Sequence, residues 1–137
     1  MKAAIISDIH GNSPALEAVM DDIDRHNPTT IYVLGDVAHG VDPRRCLEIF
    51  TNRSNSRMIK GNLEHYMCAQ NYAGYNRPKD GTFNWKLRIA EDVRRNSGDD
   101  LFGAMCSWPD YLHENDAYFM HDSPWDQRSA QSEGRDL

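Results

Sequence analysis

The first apolar stretch, Lys2 to Ser7, has the length of a short strand and ends in the polar, glycine-containing turn Asp8-Ile9-His10-Gly11-Asn12. Beyond it the period changes. Leu16, Val19, Met20 and Ile23 fall at i, i+3, i+4 and i+7, one stripe of a helix with Ser13 as N-cap and Pro14 at its first position. Asn27-Pro28 stops that helix just after His26. Thr30 to Leu34, rich in β-branched residues, fits a buried strand closed by Gly35-Asp36, and Pro43 to Phe50 is a second helix. Arg57 to Lys60 forms a third short strand before Gly61-Asn62. The alternation predicts parallel strands joined by helical crossovers, an α/β fold.

From Leu63 the regularity weakens. A helical stretch to about Gln70 is followed by a loop, Asn71 to Thr82, rich in Tyr, Asn, Gly and Pro and a candidate substrate-facing lid. Phe83 to Arg95 is a helix through Leu87, Ala90 and Val93 with Ile89 beside them, and Leu101 to Trp108 a shorter one closed by Pro109. Tyr111 to His113 and Ala117 to Met120 pair as a hairpin across Glu114-Asn115-Asp116. The pattern predicts one domain over residues 1–124, without internal repeats, and a poorly ordered polar tail over residues 125–137.

A chain of 137 residues buries a core without disulfides or a structural metal, and 39% hydrophobic with 26% charged residues excludes a disordered polymer. Fifteen Lys and Arg against twenty-one Asp and Glu, a net charge of −6, disfavour nucleic acid and anionic membranes as partners. Phosphate in a substrate then needs local help, such as a metal. The longest apolar run, Ala3 to Ile6, cannot span a membrane, and the start turns polar too soon for a secretory signal, so the expected location is cytoplasmic. Cys46, Cys68 and Cys106 form an odd count without CxxC spacing and are expected to be free, small, buried hydrophobes.

Three consecutive strands end in residues that bind metal: Asp8 and His10, then Asp36, then Asn62, with His121 after a fourth. Carboxyl ends of parallel strands share one edge, where ligands of open α/β sheets bind, so these distant positions should converge. Carboxylate, imidazole and amide oxygen together suit Mn, Fe or Zn better than Ca. Separately, each has a plainer reading. Asp8 and Asn12 cap a helix, Gly35-Asp36 and Gly61-Asn62 are ordinary turns, and His121 is a core histidine. Tyr72, Tyr75 and Trp85 are either core aromatics or a stacking surface for a nucleobase.

Ser7-Asp8-Ile9-His10-Gly11-Asn12 resembles the D-x-H block that opens the calcineurin-like metallophosphoesterases. Leu34-Gly35-Asp36 with Gly40 is similar to their G-D block, Gly61-Asn62-Leu63-Glu64 to G-N-H-[DE], and His121-Asp122-Ser123-Pro124 to H-G-S-P. Four blocks in order, each after a predicted strand, make the resemblance specific over residues 1–124, in the style of the small bacterial and archaeal phosphodiesterases. It implies a mixed β-sheet flanked by helices and a phosphatase or phosphodiesterase acting on small phosphoesters, nucleotides among them. It further implies two divalent ions, with Asp8 and His10 on the first, Asp36 bridging, and Asn62 and His121 on the second. A hydroxide bridging the ions attacks in line. Asp36 and Asn62 are thus also catalytic candidates, and Asn12 and His39 candidate substrate-binding residues.

Two departures matter. Leu63 stands where the family has a proton-donating His, a role that His65 or His39 would have to fill unless both are ordinary surface or core histidines. Nothing after Pro124 resembles the closing G-H-x-H block, so the resemblance implies a shortened C-terminal part lacking one His per ion. The strand Ala117 to Met120 would then expose an unpaired edge, which predicts a homo-oligomer. Two alternatives stay open: a weakly active or inactive metal-binding module, and an enzyme completed by a second chain.

Overall fold

The computed structural model describes residues 2–68 and 85–123. Its elements are β1 (Ala3–Ile6), α1 (Ser13–His26), β2 (Thr30–Val33), α2 (Pro43–Thr51), β3 (Ser56–Met58), α3 (Asn62–Cys68), α4 (Trp85–Ser97), α5 (Asp99–Cys106), β4 (Tyr111–Glu114) and β5 (Ala117–Met120). β1, β2 and β3 form a parallel sheet in that order, with Ile6 opposite Val33 and Val33 opposite Met58. The α/β alternation of the sequence is therefore present, with boundaries shifted by a residue or two.

Side chains alternate across a strand, so Ala4, Ile6, Ile31, Val33 and Met58 share one face. There they meet Leu16, Met20, Leu47, Phe50, Met67 and other helix residues in one core. Val19, expected on the apolar stripe of α1, is 43% exposed, because the stripe is narrower than its spacing implied. Tyr32 points to the opposite face and is buried under the β4–β5 hairpin: Phe119 stacks on its ring at 3.9 Å, and its hydroxyl donates to Glu114 Oε2 at 2.9 Å. The hairpin is a separate antiparallel ladder, so the mixed strand directions are divided between two ladders and not combined in one sheet. Asn115 and Asp116, at φ 52° and 60°, form the two-residue turn that matches hairpin twist.

Asn12, and not Ser13, is the N-cap of α1, accepting from the Ala15 N–H at 3.2 Å. Ser13 is one residue inside, buried, and donates to Asp42 Oδ2 at 2.9 Å, while Asp42 Oδ1 caps α2 by accepting from the Arg45 N–H. The two helix starts beside the sheet edge are thereby tied together.

The expectation of three free cysteines is corrected. Cys68, at the end of α3, is bonded to Cys106, at the end of α5, across a separation of 38 residues. Helix packing brings the ends together, which spacing along the chain does not reveal. Cys46 remains free in the core, its thiol pushed up to about 11, chiefly by burial. The expected lid with Tyr72 and Tyr75, and the polar tail, lie outside the described residues, as does the side chain of Trp85. No helix among the described residues is long and apolar enough to cross a membrane.

Candidate metal centre

The chain leaves β1 and β2 side by side and the pairing continues past both strands. Asp8 N–H donates to Gly35 O at 3.1 Å, His10 N–H to Asp36 O at 2.9 Å and Gly11 N–H to Val37 O at 2.8 Å. Asp8, His10 and Asp36 each sit in the left-handed region, at φ 56°, 49° and 54°. Non-glycine residues are uncommon there, and such strain persists where surrounding bonds hold it, often at functional sites. Gly61 is required by contact, since a Cβ there would collide with Asp36 Oδ1.

Ligand atoms of Asp8, His10 and Asp36 all lie within 4.8 Å of one another. His10 Nε2 is 3.5 Å from Asp8 Oδ1 and 4.0 Å from Asp36 Oδ2. The same Asp36 oxygen is 3.6 Å from His121 Nε2, so it stands between two imidazoles. Asn62 Oδ1 lies 3.0 Å from His121 Nε2, and His121 Nδ1 is 2.6 Å from Leu34 O. With Nδ1 against that carbonyl, Nε2 faces the Asn62 oxygen and the Asp36 carboxylate. Imidazole nitrogen, amide oxygen and carboxylate oxygen converging on one point are a donor set that fits a divalent cation. The structure thus brings together Asp8, His10, Asp36, Asn62 and His121.

Asp8 and His10 are open to solvent, whereas Asp36 is 4% exposed and forms the floor. Burial holds its carboxyl above the ordinary range. The Leu63 N–H on Oδ1 opposes this, the Glu64 charge adds to it, and the neighbouring His121 and His10 oppose it.

Glu64, quoted within a block but given no role by the sequence, anchors the floor. It is fully buried and accepts from four backbone N–H groups: Asp36 at 2.7 Å, Val37 at 2.9 Å, Ala38 at 3.3 Å and Gly61 at 2.9 Å. The bond back to Gly61 is half of a capping box, with Glu at the third helical position, and that spacing was the signal available in the sequence.

The remaining candidates scatter. His65 Nε2 lies 3.6 Å from Asp110, which Lys60 also approaches. His39 stands edge-on to His10 with ring centres 6.1 Å apart, at the rim of the centre. The Asn12 side-chain oxygen is engaged in capping α1. Leu63 is a core residue that serves the centre through its backbone N–H.

Carboxylates and imidazoles that converge at the carboxyl edge of a parallel sheet define the class as an α/β domain with a candidate metal centre. The calcineurin-like phosphoesterase family matches residues 1–129, and the chain belongs to that family. The uncharacterized protein MJ0912 of Methanocaldococcus jannaschii is 36% identical over 73 residues, which is 53% of this chain and 30% of that protein. The crystal structure of the hypothetical protein PH1004 from Pyrococcus horikoshii superposes with a TM-score of 0.67 at 19% identity, over 82% of this chain and 50% of that one, a likeness of fold. This chain therefore spans half or less of the length of the relatives described.

Proposed function

We propose that this protein is a divalent-metal-dependent phosphoesterase acting on small phosphate mono- or diesters with good leaving groups, nucleotide phosphates among them. The observation that carries the reading is Asp36 Oδ2 lying 4.0 Å from His10 Nε2 and 3.6 Å from His121 Nε2, one buried anionic oxygen shared by two donor sets. Asp8, His10 and Asp36 would hold one ion and Asp36, Asn62 and His121 a second, with Mn, Fe or Zn suited to the mixed donors. Divalent cations bound there would neutralise phosphoryl charge and acidify a water. Asp36 supplies the fixed negative charge that a pair of dications needs between them, and Glu64 keeps it in place by holding the backbone N–H groups of residues 36–38.

Leu63 has no proton to give, so the leaving group must depart as a weak base. Between the two substitute acids, His39 is the better placed, beside His10, where it also suits a hydrogen bond to a phosphoryl oxygen; His65 is paired with Asp110. Asn12 keeps only its amide NH₂ for a substrate. The same leucine favours a second reading, a metal-binding module without turnover. In the cytoplasm, the location the sequence leads us to expect, the Cys68–Cys106 pair would be exposed to reductants. Hydrolysis of p-nitrophenyl phosphate and bis-p-nitrophenyl phosphate in Mn tests the proposal. Turnover that depends on Mn and is lost in Asp36→Asn is the expected result. Tight Mn binding without turnover would select the binding module.

A further inference from the structure

Asn62 and His121 meet at 3.0 Å although 59 residues separate them. Asn62 opens α3 and His121 follows β5, so their contact depends on how α3 is fixed to the segment that leads into the hairpin. Two ties do this. The disulfide joins the end of α3 to the end of α5. Beyond α5 the chain returns to the foot of α3, where Lys60 N–H donates to Pro109 O at 2.9 Å and Asp110 lies 3.6 Å from both Lys60 Nζ and His65 Nε2. β4 starts at the next residue, Tyr111. Asp8, His10 and Asp36 are held by the paired β1 and β2 loops, and Glu64, itself in α3, joins residues 36–38 to the foot of that helix.

We propose that Cys68 and Cys106 form a redox-sensitive site, whose reduction by a dithiol weakens the Asn62–His121 half of the metal centre and spares the Asp8–His10–Asp36 half. The proposal rests on the metal centre inferred above. In the exchange, a thiolate of the dithiol attacks one cysteine sulfur and the Cys68–Cys106 bond breaks. The second sulfur of the dithiol then closes its own disulfide. Two electrons and two protons pass to the cysteine pair, leaving two thiols and one oxidised dithiol. Both sulfurs belong to half-buried residues at helix ends, whereas Cys46 is fully buried, so the exchange should take place at the pair and leave Cys46 out. The Lys60–Pro109 and Asp110 contacts outlast reduction, so the second half loosens without coming apart.

The test uses the full chain, with MnCl₂ as the probe. Peptide mapping without reductant should find the Cys68–Cys106 cross-link in air-oxidised protein; its absence overturns the proposal. Calorimetric titration should find two Mn sites in the oxidised protein. After dithiothreitol treatment and desalting under argon, one affinity should stay within about twofold and the other fall by about tenfold or more, the scale of a lost outer-shell support. Oxidised glutathione should restore it, and the double variant Cys68→Ala, Cys106→Ala should behave as the reduced protein. Both affinities unchanged, or both lost together, overturns the coupling. No Mn bound even when oxidised overturns the metal centre itself, an outcome separate from the other two.

Discussion

Glu64→Gln is the most informative single substitution, because it preserves shape and removes one acceptor. Glu64 Oε1 accepts from Val37 and Ala38, and Oε2 from Asp36 and Gly61. In the glutamine one of those atoms becomes an NH₂ pointed at two backbone N–H groups. Two buried donors are then left without acceptors, each costing about 1–3 kcal/mol, or ~2–6 kcal/mol in all. That is a large share of the roughly 5–15 kcal/mol that separates folded from unfolded states. With a urea m-value of about 2 kcal/mol/M, the unfolding midpoint should fall by about 1–3 M. Whichever pair is lost, either Asp36 or Val37 loses its anchor, so the left-handed backbone at Asp36 relaxes and Mn affinity falls in the protein that remains folded. A loss below about 1 kcal/mol with unchanged Mn affinity would refute the anchoring role, since the scale of a buried unsatisfied donor leaves no room for it.

Asp36→Asn should weaken both Mn sites, by about a hundredfold or more in calorimetry, and equal binding to wild type would end the bridging assignment. Without metal the same variant should be more stable than wild type at neutral pH. Burial raises the folded-state pKa of Asp36 above its ordinary 3.8, so its favourable contribution is complete below that value and is lost as pH rises through the folded pKa. The stability gap in urea melts should therefore widen from acid to neutral pH, and a gap independent of pH would count against the raised carboxyl. Turnover should fall steeply from p-nitrophenyl to alkyl phosphoesters, and equal rates would disprove the missing-acid account. Leu63→His is a poor probe of that account, because Leu63 packs in the core. Ile5 is 58% exposed on β1, an end strand of the sheet, so we expect a dimer in light scattering that Ile5→Lys converts to monomer. A wild-type monomer at high concentration would show that this edge needs no cover.

The elements that periodicity made legible are those whose burial is one-sided and local. β1, α1 and α2 each carry one apolar face followed by a turn residue, β2 is a β-branched run buried on both faces, and the candidate ligands Asp8, His10, Asp36 and Asn62 could be placed because all of them follow strands of one parallel sheet. Long-range pairing was the obscure part. Nothing near Cys68 announces Cys106, nothing near Tyr32 announces the Phe119 that covers it, and the hairpin could not be assigned to its own ladder without that contact. Glu64 was hidden for another reason: a charged residue three positions into a helix is ordinarily a solvated cap, and only its complete burial under four N–H groups shows what it holds.

The left-handed backbone at Asp8, His10 and Asp36 also bears on how this centre can change over evolutionary time. Asp, Asn, His and Gly tolerate that conformation, while β-branched residues are excluded by their own Cβ substituents. The alphabet open to each of these positions is therefore short before any cation has been chosen. If the proposed function holds, exchange among Asp, Asn and His would retune the preference for one metal over another at little backbone cost. A lineage that gave up such catalysis would then drift at these sites toward asparagine or glycine and not toward the aliphatics that usually fill abandoned positions, leaving a vestige that outlasts the activity.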